Sequence, residues 1–304
     1  MKVAAIDIGS NAVRLLIAEV EDRQITKIYQ RKRHITKLAE VLNSKQVLSE
    51  ASIERTMKAL QDFVVIINEQ MVQRVHAVAT SAVREALNGQ DLVDKAKELG
   101  IIIEIIDGDT EAGLIFDGVT SGIETKDKKV LVFDIGGGST EFIYSDPDKG
   151  RKGISVPMGV VKMAEMYSFK DKLDLEHMDR MRIPLFSVMD QVIKTLDCEP
   201  EMLIGSAGTP TTLAAMDMEM TEYDQEKVNG YVLPIENIKK HFDKLAELPA
   251  SERINIPGME DGREEVIMPG ILITGELMNM LGVYDMTVSD YGLREGLAIA
   301  IANV

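Results

Sequence analysis

The chain has 304 residues, 34 basic against 50 acidic, a formal net charge of −16, one cysteine and no tryptophan. That length exceeds what one hydrophobic core usually serves, so two domains are expected, and 45% apolar residues leave ample surface to bury. The negative charge excludes a generic nucleic-acid-binding surface; Cys198 alone cannot form an intrachain disulfide, and His34, His76, His177 and His241 show no zinc-site spacing. Asp7 interrupts what would be the apolar stretch of a signal peptide, and no apolar run approaches the roughly 20 residues that span a bilayer. The expected setting is cytoplasmic, with no membrane and no nucleic-acid partner.

Val3–Ile8 is a strand-like run, and Val13–Val20 a second one across the turn residues Gly9, Ser10 and Asn11, which together read as a hairpin. Arg23–Thr36 adds a third strand. From Ser49 as N-cap, Ile53, Met57, Leu60, Val64, Ile67 and Met71 recur at helical steps and predict a long amphipathic helix. Val75–Ala79 reads as a strand, Thr80 or Ser81 as the cap of a short helix through Arg84 and Glu85, and Asp91–Leu99 as a helix stopped by Gly100. A strand over Ile101–Ile106 and a helix over Asp109–Val119 follow. Strands alternate with helices, so the fold class is α/β.

The opening is then echoed. Lys129–Phe133 ends in Asp134-Ile135-Gly136-Gly137-Gly138, followed by Thr140–Tyr144 as the return strand. Asp7 and Asp134 stand in equivalent settings, which points to a duplicated domain with a boundary within Thr120–Lys128. The second half continues with a strand at Ile154–Pro157, helices at Val160–Tyr167 and Asp174–Arg182, and a further helix opened by Pro184 and reaching Leu196. The strand Glu201–Ile204 runs into Gly205-Ser206-Ala207-Gly208-Thr209-Pro210-Thr211-Thr212, with Pro210 suited to the first helical position. Helices over Pro234–Leu245 and Glu265–Leu281, a short strand at Thr287–Ser289 and a terminal helix after Gly292-Leu293-Arg294-Glu295-Gly296 complete the chain.

Glycines after an aspartate at a strand end have a physical use. Gly136, Gly137 and Gly138 can turn backbone N–H groups toward an anion, and the neighbouring carboxylate can hold Mg2+. Gly208, at a helix N-terminus, offers free N–H groups and the positive end of the dipole. Each feature alone also fits an ordinary hairpin turn or a capped helix start; the three together favour phosphate binding. No Walker lysine motif competes.

The constellation resembles the actin-like phosphotransferase superfamily and, within it, the exopolyphosphatase and guanosine pentaphosphate phosphatase family in its short two-domain form. The resemblance rests on Ala5-Ile6-Asp7-Ile8-Gly9-Ser10-Asn11, Val78-Ala79-Thr80-Ser81-Ala82-Val83-Arg84-Glu85-Ala86, Gly108-Asp109-Thr110-Glu111-Ala112, Phe133-Asp134-Ile135-Gly136-Gly137-Gly138-Ser139-Thr140-Glu141 and Gly292-Leu293-Arg294-Glu295-Gly296. The Asp-Ile-Gly tips are shared across the superfamily; the combination is far more specific. It implies two actin-like (ribonuclease H-like) domains, residues 1–123 and 124–290, with the C-terminal helix of about 291–304 packing back on the first and the active site in the interdomain cleft.

The resemblance also implies the roles. Glu111 is the general base, Asp134 and Glu141 hold the metal with Asp7 as a further candidate, and Arg84 and Arg294 bind phosphate, joined by Arg14. The tips Gly9-Ser10-Asn11 and Gly136-Gly137-Gly138-Ser139, with Gly208, are read as phosphate loops. Gly113 stands where the family carries an arginine, which leaves the local support of Glu111 open. The expected activity is release of terminal orthophosphate from inorganic polyphosphate with Mg2+ (or Mn2+), with guanosine pentaphosphate as the alternative substrate of the same apparatus. A non-hydrolytic ATP-binding or filament-forming actin relative is the rival of another class, and a homodimer is the base-rate oligomer.

Charge is uneven along the chain: residues 1–123 carry a net −3 and residues 124–304 a net −13. Arg23–Ala39 contains Arg23, Lys27, Arg31, Lys32, Arg33 and Lys37 and no acid. Two readings stand, a solvated edge strand protected by basic side chains and an entry patch for a polyanion.

Overall fold

The computed structural model describes residues 1–173 and 175–302. The chain divides into two compact units, Met1–Ser121 with Tyr291–Val304, and Gly122–Asp290. The first begins with a meander, β1 (Lys2–Ile8), β2 (Ala12–Glu21) and β3 (Gln24–Ile35), each strand antiparallel to the last. The short α1 (Leu42–Lys45) leads to α2 (Glu50–Glu69), whose N-cap Ser49 accepts from the Ser52 N–H. Then come β4 (Arg74–Ala79), α3 (Ser81–Glu85), α4 (Gly89–Glu98), β5 (Ile103–Ile105) and α5 (Gly108–Gly122). β4 lies parallel to β1 and β5 parallel to β4, so the sheet order is β3-β2-β1-β4-β5.

The second unit repeats the plan. β6 (Val130–Ile135), β7 (Thr140–Asp146) and β8 (Gly150–Val156) form the meander, followed by α6 (Val160–Tyr167) and α7 (Leu175–Leu196). β9 (Met202–Ser206) runs parallel to β6 and feeds α8 (Gly208–Asp217). α9 (Gln225–Val228), β10 (Val232–Pro234), α10 (Ile235–Ala246), α11 (Ala250–Arg253), α12 (Ile267–Leu281) and β11 (Asp285–Val288) complete it. The order β8-β7-β6-β9-β11-β10 is that of the first sheet with one added edge strand. Each unit is thus a ribonuclease H-like α/β layer, the building block of the actin-like fold. The chain returns to the first unit as α13 (Leu293–Ala302), where Leu297, Ala298, Ile299 and Ile301 are buried with Val3, Ala5, Leu16, Ala18 and Val78.

Several local expectations change. Met71 lies beyond the end of α2, 83% exposed at φ 51°, and the buried face of that helix is completed by Thr56, Ala59 and Phe63. The two helices expected around Pro184 are one, α7, with the expected start at Asp174 lying outside the described residues. Met181, Leu185, Met189, Val192 and Leu196 form an unbroken buried stripe past Pro184, which faces solvent, so packing of that stripe overrides the proline. β5 is half the expected length, β8 starts earlier, and Pro210 is the third residue of α8 rather than its first. Four short elements that the sequence did not announce, α1, α9, α11 and β10, have only three or four residues each, too few to show a period.

Candidate active site

The two hairpin tips close identically. The Gly9 N–H donates to the Ala12 carbonyl at 3.1 Å and the Gly136 N–H to the Ser139 carbonyl at 2.9 Å. Carbonyls at both tips turn into the protein: those of Ser10 and Asn11 accept from Ala39, Thr36 and Lys37, those of Gly136 and Gly137 from Val160, Val161 and Lys162. Between the closing bonds, the N–H groups of Ser10 and Asn11, and of Gly137 and Gly138, take part in no hydrogen bond among the described residues. Two adjacent donors with their carbonyls pointed away make a concavity suited to an anion. Gly9 and Gly136 themselves are committed to the turns. Gly159 lets α6 reach the second tip, because a Cβ there would stand 2.3 Å from the Gly137 carbonyl oxygen.

Across each tip, the residue opposite the aspartate differs in sign. Asp7 pairs in register with Arg14, and the guanidinium donates to the carboxylate at 3.0 Å. Asp134 pairs with Glu141 on one side and Ser206 on the other, so the three side chains share a sheet face. Glu141 is 1% exposed and accepts a 2.8 Å hydrogen bond from the Ser155 hydroxyl. Two like charges placed opposite each other are unfavourable unless a cation joins them. Hard oxygen donors in that number suit Mg2+, which commonly takes one or two carboxylates and completes its shell with water and phosphate oxygens. Among the described residues there is no cluster of three or more His, Cys, Asp or Glu side chains placed to hold a metal.

In the first unit, the Ser10 and Ser81 hydroxyls lie 3.1 Å apart and tie the first tip to α3, which carries Arg84. Thr80 stands at the N-cap of α3 without a side-chain capping bond. Arg84 Nη1 donates to the Ile106 carbonyl at 2.7 Å and to Glu111 Oε2 at 3.3 Å. Glu111 is 6% exposed in the first turn of α5, so with Gly113 carrying no side chain, a guanidinium from another element supports it. At the start of α13, the fully buried Glu295 reaches back to the Gly292 N–H at 3.0 Å and accepts from Arg31 Nη2 at 3.1 Å; Arg294 lies 3.7 Å away. Glu295 thereby caps its own helix and draws two guanidinium groups together. Arg31, from the basic stretch, is engaged here and stacks over the Tyr291 ring at 5.4 Å.

At Gly208 the backbone is strained. Ala207, its N-cap, has φ 69° and ψ −168°, a region occupied almost solely by glycine. A Cβ on Gly208 would stand 1.3 Å from Arg263 Nη2, so the Arg263 guanidinium lies against this helix start. Arg263 is 6% exposed; its Nε donates to Glu260, while Nη1 and Nη2 have no partner among the described residues. A guanidinium at the positive end of a helix is favourable once an anion sits between them. Sequence reading missed Arg263, because its neighbour in space is 55 positions away; the available signal was Gly208 itself, a glycine at a helix start that leaves room for another group.

Two ribonuclease H-like units with glycine-containing hairpin tips make up an actin-like fold. The chain belongs to the Ppx/GppA phosphatase family, which it matches over residues 16–303, and is a phosphoanhydride hydrolase of that family. It is 28% identical to exopolyphosphatase 2 of Mycobacterium tuberculosis, over 99% of both chains. It is also 34% identical to a bifunctional 3-dehydroquinate synthase/phosphatase of Fusobacterium nucleatum, covering 94% of this chain but 44% of that protein's length. Among solved structures, the Aquifex aeolicus Ppx/GppA family member superposes with a TM-score of 0.84 at 34% identity, covering 100% of this chain and 98% of that one. An exopolyphosphatase from Cytophaga hutchinsonii gives 0.90 at 29% identity over 100% and 99%. No described helix is long and apolar enough to cross a membrane.

Proposed function

We propose that this chain releases terminal orthophosphate from inorganic polyphosphate with the help of Mg2+ (or Mn2+). The observation that carries the reading is the pair of hairpin tips, each presenting two adjacent unbonded N–H groups while its carbonyls turn inward, an arrangement that receives anions and rejects cations. The relatives named exopolyphosphatases support the choice of polymer.

In this reading Asp134 and Glu141 hold the cation, which neutralises phosphate oxygens when bound. Asp7 fixes Arg14, and Arg14, Arg84, Arg294 and Arg263 supply guanidinium forks to the chain of phosphates. The N–H groups of Ser10, Asn11, Gly137 and Gly138 hold equatorial oxygens, with Ser139 closing the second tip. Glu111 takes the proton of the attacking water as its oxygen bonds to the terminal phosphorus and the bridging P–O bond breaks.

The test is orthophosphate release from polyphosphates of graded length and from guanosine pentaphosphate, with and without Mg2+, for wild type and Glu111→Gln. Loss of a general base should lower kcat by about 10²- to 10⁴-fold with KM little changed. Unchanged turnover in Glu111→Gln removes that residue from its role. No release from either substrate, together with ATP-dependent sedimentation, would favour the non-hydrolytic rival.

A further inference from the structure

Arg253 is the largest fully buried side chain among the described residues, and no carboxylate pairs with it in a hydrogen bond. Its guanidinium is instead shared among backbone carbonyls: Nε donates to Leu245 at 3.0 Å, Nη1 to Phe169 at 2.6 Å and Glu264 at 3.2 Å, and Nη2 to Asp171 at 3.1 Å. Burying an arginine this way costs solvation, which pushes its pKa below the ordinary value. A leucine-like residue would fill the space without that cost, so the gain lies in what the five N–H donors gather. They draw together the segment after α6, the end of α10 and the turn before α12.

That turn carries Arg263. The peptide held by Arg253 follows it directly, and the Arg263 carbonyl accepts from Val266 and Ile267 as α12 begins. Arg263 is therefore fixed on one side by Glu260 and on the other by the Arg253 contact to Glu264, with its terminal nitrogens aimed at Gly208. We infer that Arg253 is a positioning residue, holding the Arg263 guanidinium at the start of α8 where a substrate phosphate binds. The inference rests on the proposed phosphate-binding role of Arg263 and Gly208.

The experiment is a double-mutant cycle on the full chain, with Arg253→Lys, Arg263→Ala and their combination, read by steady-state orthophosphate release from polyphosphate and by Tm. Lysine keeps the charge but cannot span carbonyls on three segments. Arg253→Lys should raise KM by about three- to tenfold with kcat within about twofold, and the KM effect should vanish in the Arg263→Ala background, although Tm falls equally in both. A Tm decrease with unchanged KM, or the same multiple of KM in both backgrounds, overturns the inference and reduces Arg253 to a fold staple. Should Arg253→Lys not fold in plain buffer, the cycle is run in a stabilising osmolyte, which restores the compact state without replacing the hydrogen bonds. An unchanged KM for Arg263→Ala, or no release by wild type, strikes the functional reading instead, before Arg253 enters.

Discussion

Replacing a glycine by alanine inside a helix ordinarily stabilises it, by about 0.5–1 kcal/mol, because glycine loses the most backbone entropy on folding. At Gly118 and Gly296 the reverse is expected. A Cβ on Gly118 would stand 2.0 Å from the Gly292 carbonyl oxygen and 2.7 Å from the Gly296 nitrogen, and one on Gly296 would stand 1.8 Å from the Leu114 carbonyl oxygen. These are backbone atoms of α5, of α13 and of the residue just before it, which cannot swing aside as a side chain does. The helices would have to part by about 1 Å, and overpacking of that order costs about 1–3 kcal/mol. Taking the upper end, less the helix-propensity gain, leaves a loss of about 2 kcal/mol for Gly118→Ala, a Tm drop of about 4–8 °C. Gly275, in α12, has nothing within 4 Å of its Cβ position, so Gly275→Ala is the internal control and should raise Tm slightly. Glu111 lies two turns from Gly118 on the same face of α5, so kcat should fall with Gly118→Ala as well. Chemical and thermal unfolding of the three variants, with orthophosphate release beside them, provides the check. A Gly118→Ala protein as stable as Gly275→Ala would refute the close approach of α5 and α13.

Further predictions concern charge. Asp217 sits half-buried, and burial alone would raise its pKa, but the Tyr231 hydroxyl at 2.6 Å, Asn237 at 3.1 Å and His241 at 3.0 Å hold its carboxyl below the usual value. A carboxylate with a depressed folded pKa contributes stability that is present above its unfolded value of 3.8 and lost as pH falls further. The same bond, with burial, pushes Tyr231 up to about 12, so its contribution is whole below pH 10 and fades between 10 and about 12. Asp217→Asn should remove both dependences from the pH profile of urea unfolding; an unaltered profile sinks the assignment. On β3, Lys32→Ser with Arg33→Ser should raise KM for long polyphosphates more than for short ones, and equal effects would mean a solvated edge. Adding Arg31→Ser should also lower Tm, because Glu295 loses a partner while remaining fully buried.

What was legible in the sequence was local. The strands of each meander alternate with turn residues over a few positions, and Asp-Ile-Gly at each strand end marks the tip whatever lies beyond it. Even the pairing of Asp134 with Glu141 is readable in principle, since residues equidistant from a tight turn face each other across the hairpin, as Asp7 and Arg14 do. Pro184 shows the opposite case: its local preference was clear, yet a buried stripe from Met181 to Leu196 of α7 decided the outcome. Arg263 and Arg253 lie further out of reach. Neither stands in a motif with Gly208, and their roles follow from which turn is pinned to which carbonyl, a matter of tertiary contact between segments up to 84 residues apart. Motifs thus mark the atoms proposed to meet the phosphate, while the residues that hold those atoms in place are found only once the chain is folded. A sequence search restricted to the motif residues would keep Glu111 and Asp134 and overlook Arg253, although a lysine there is expected to alter substrate affinity as a direct contact would.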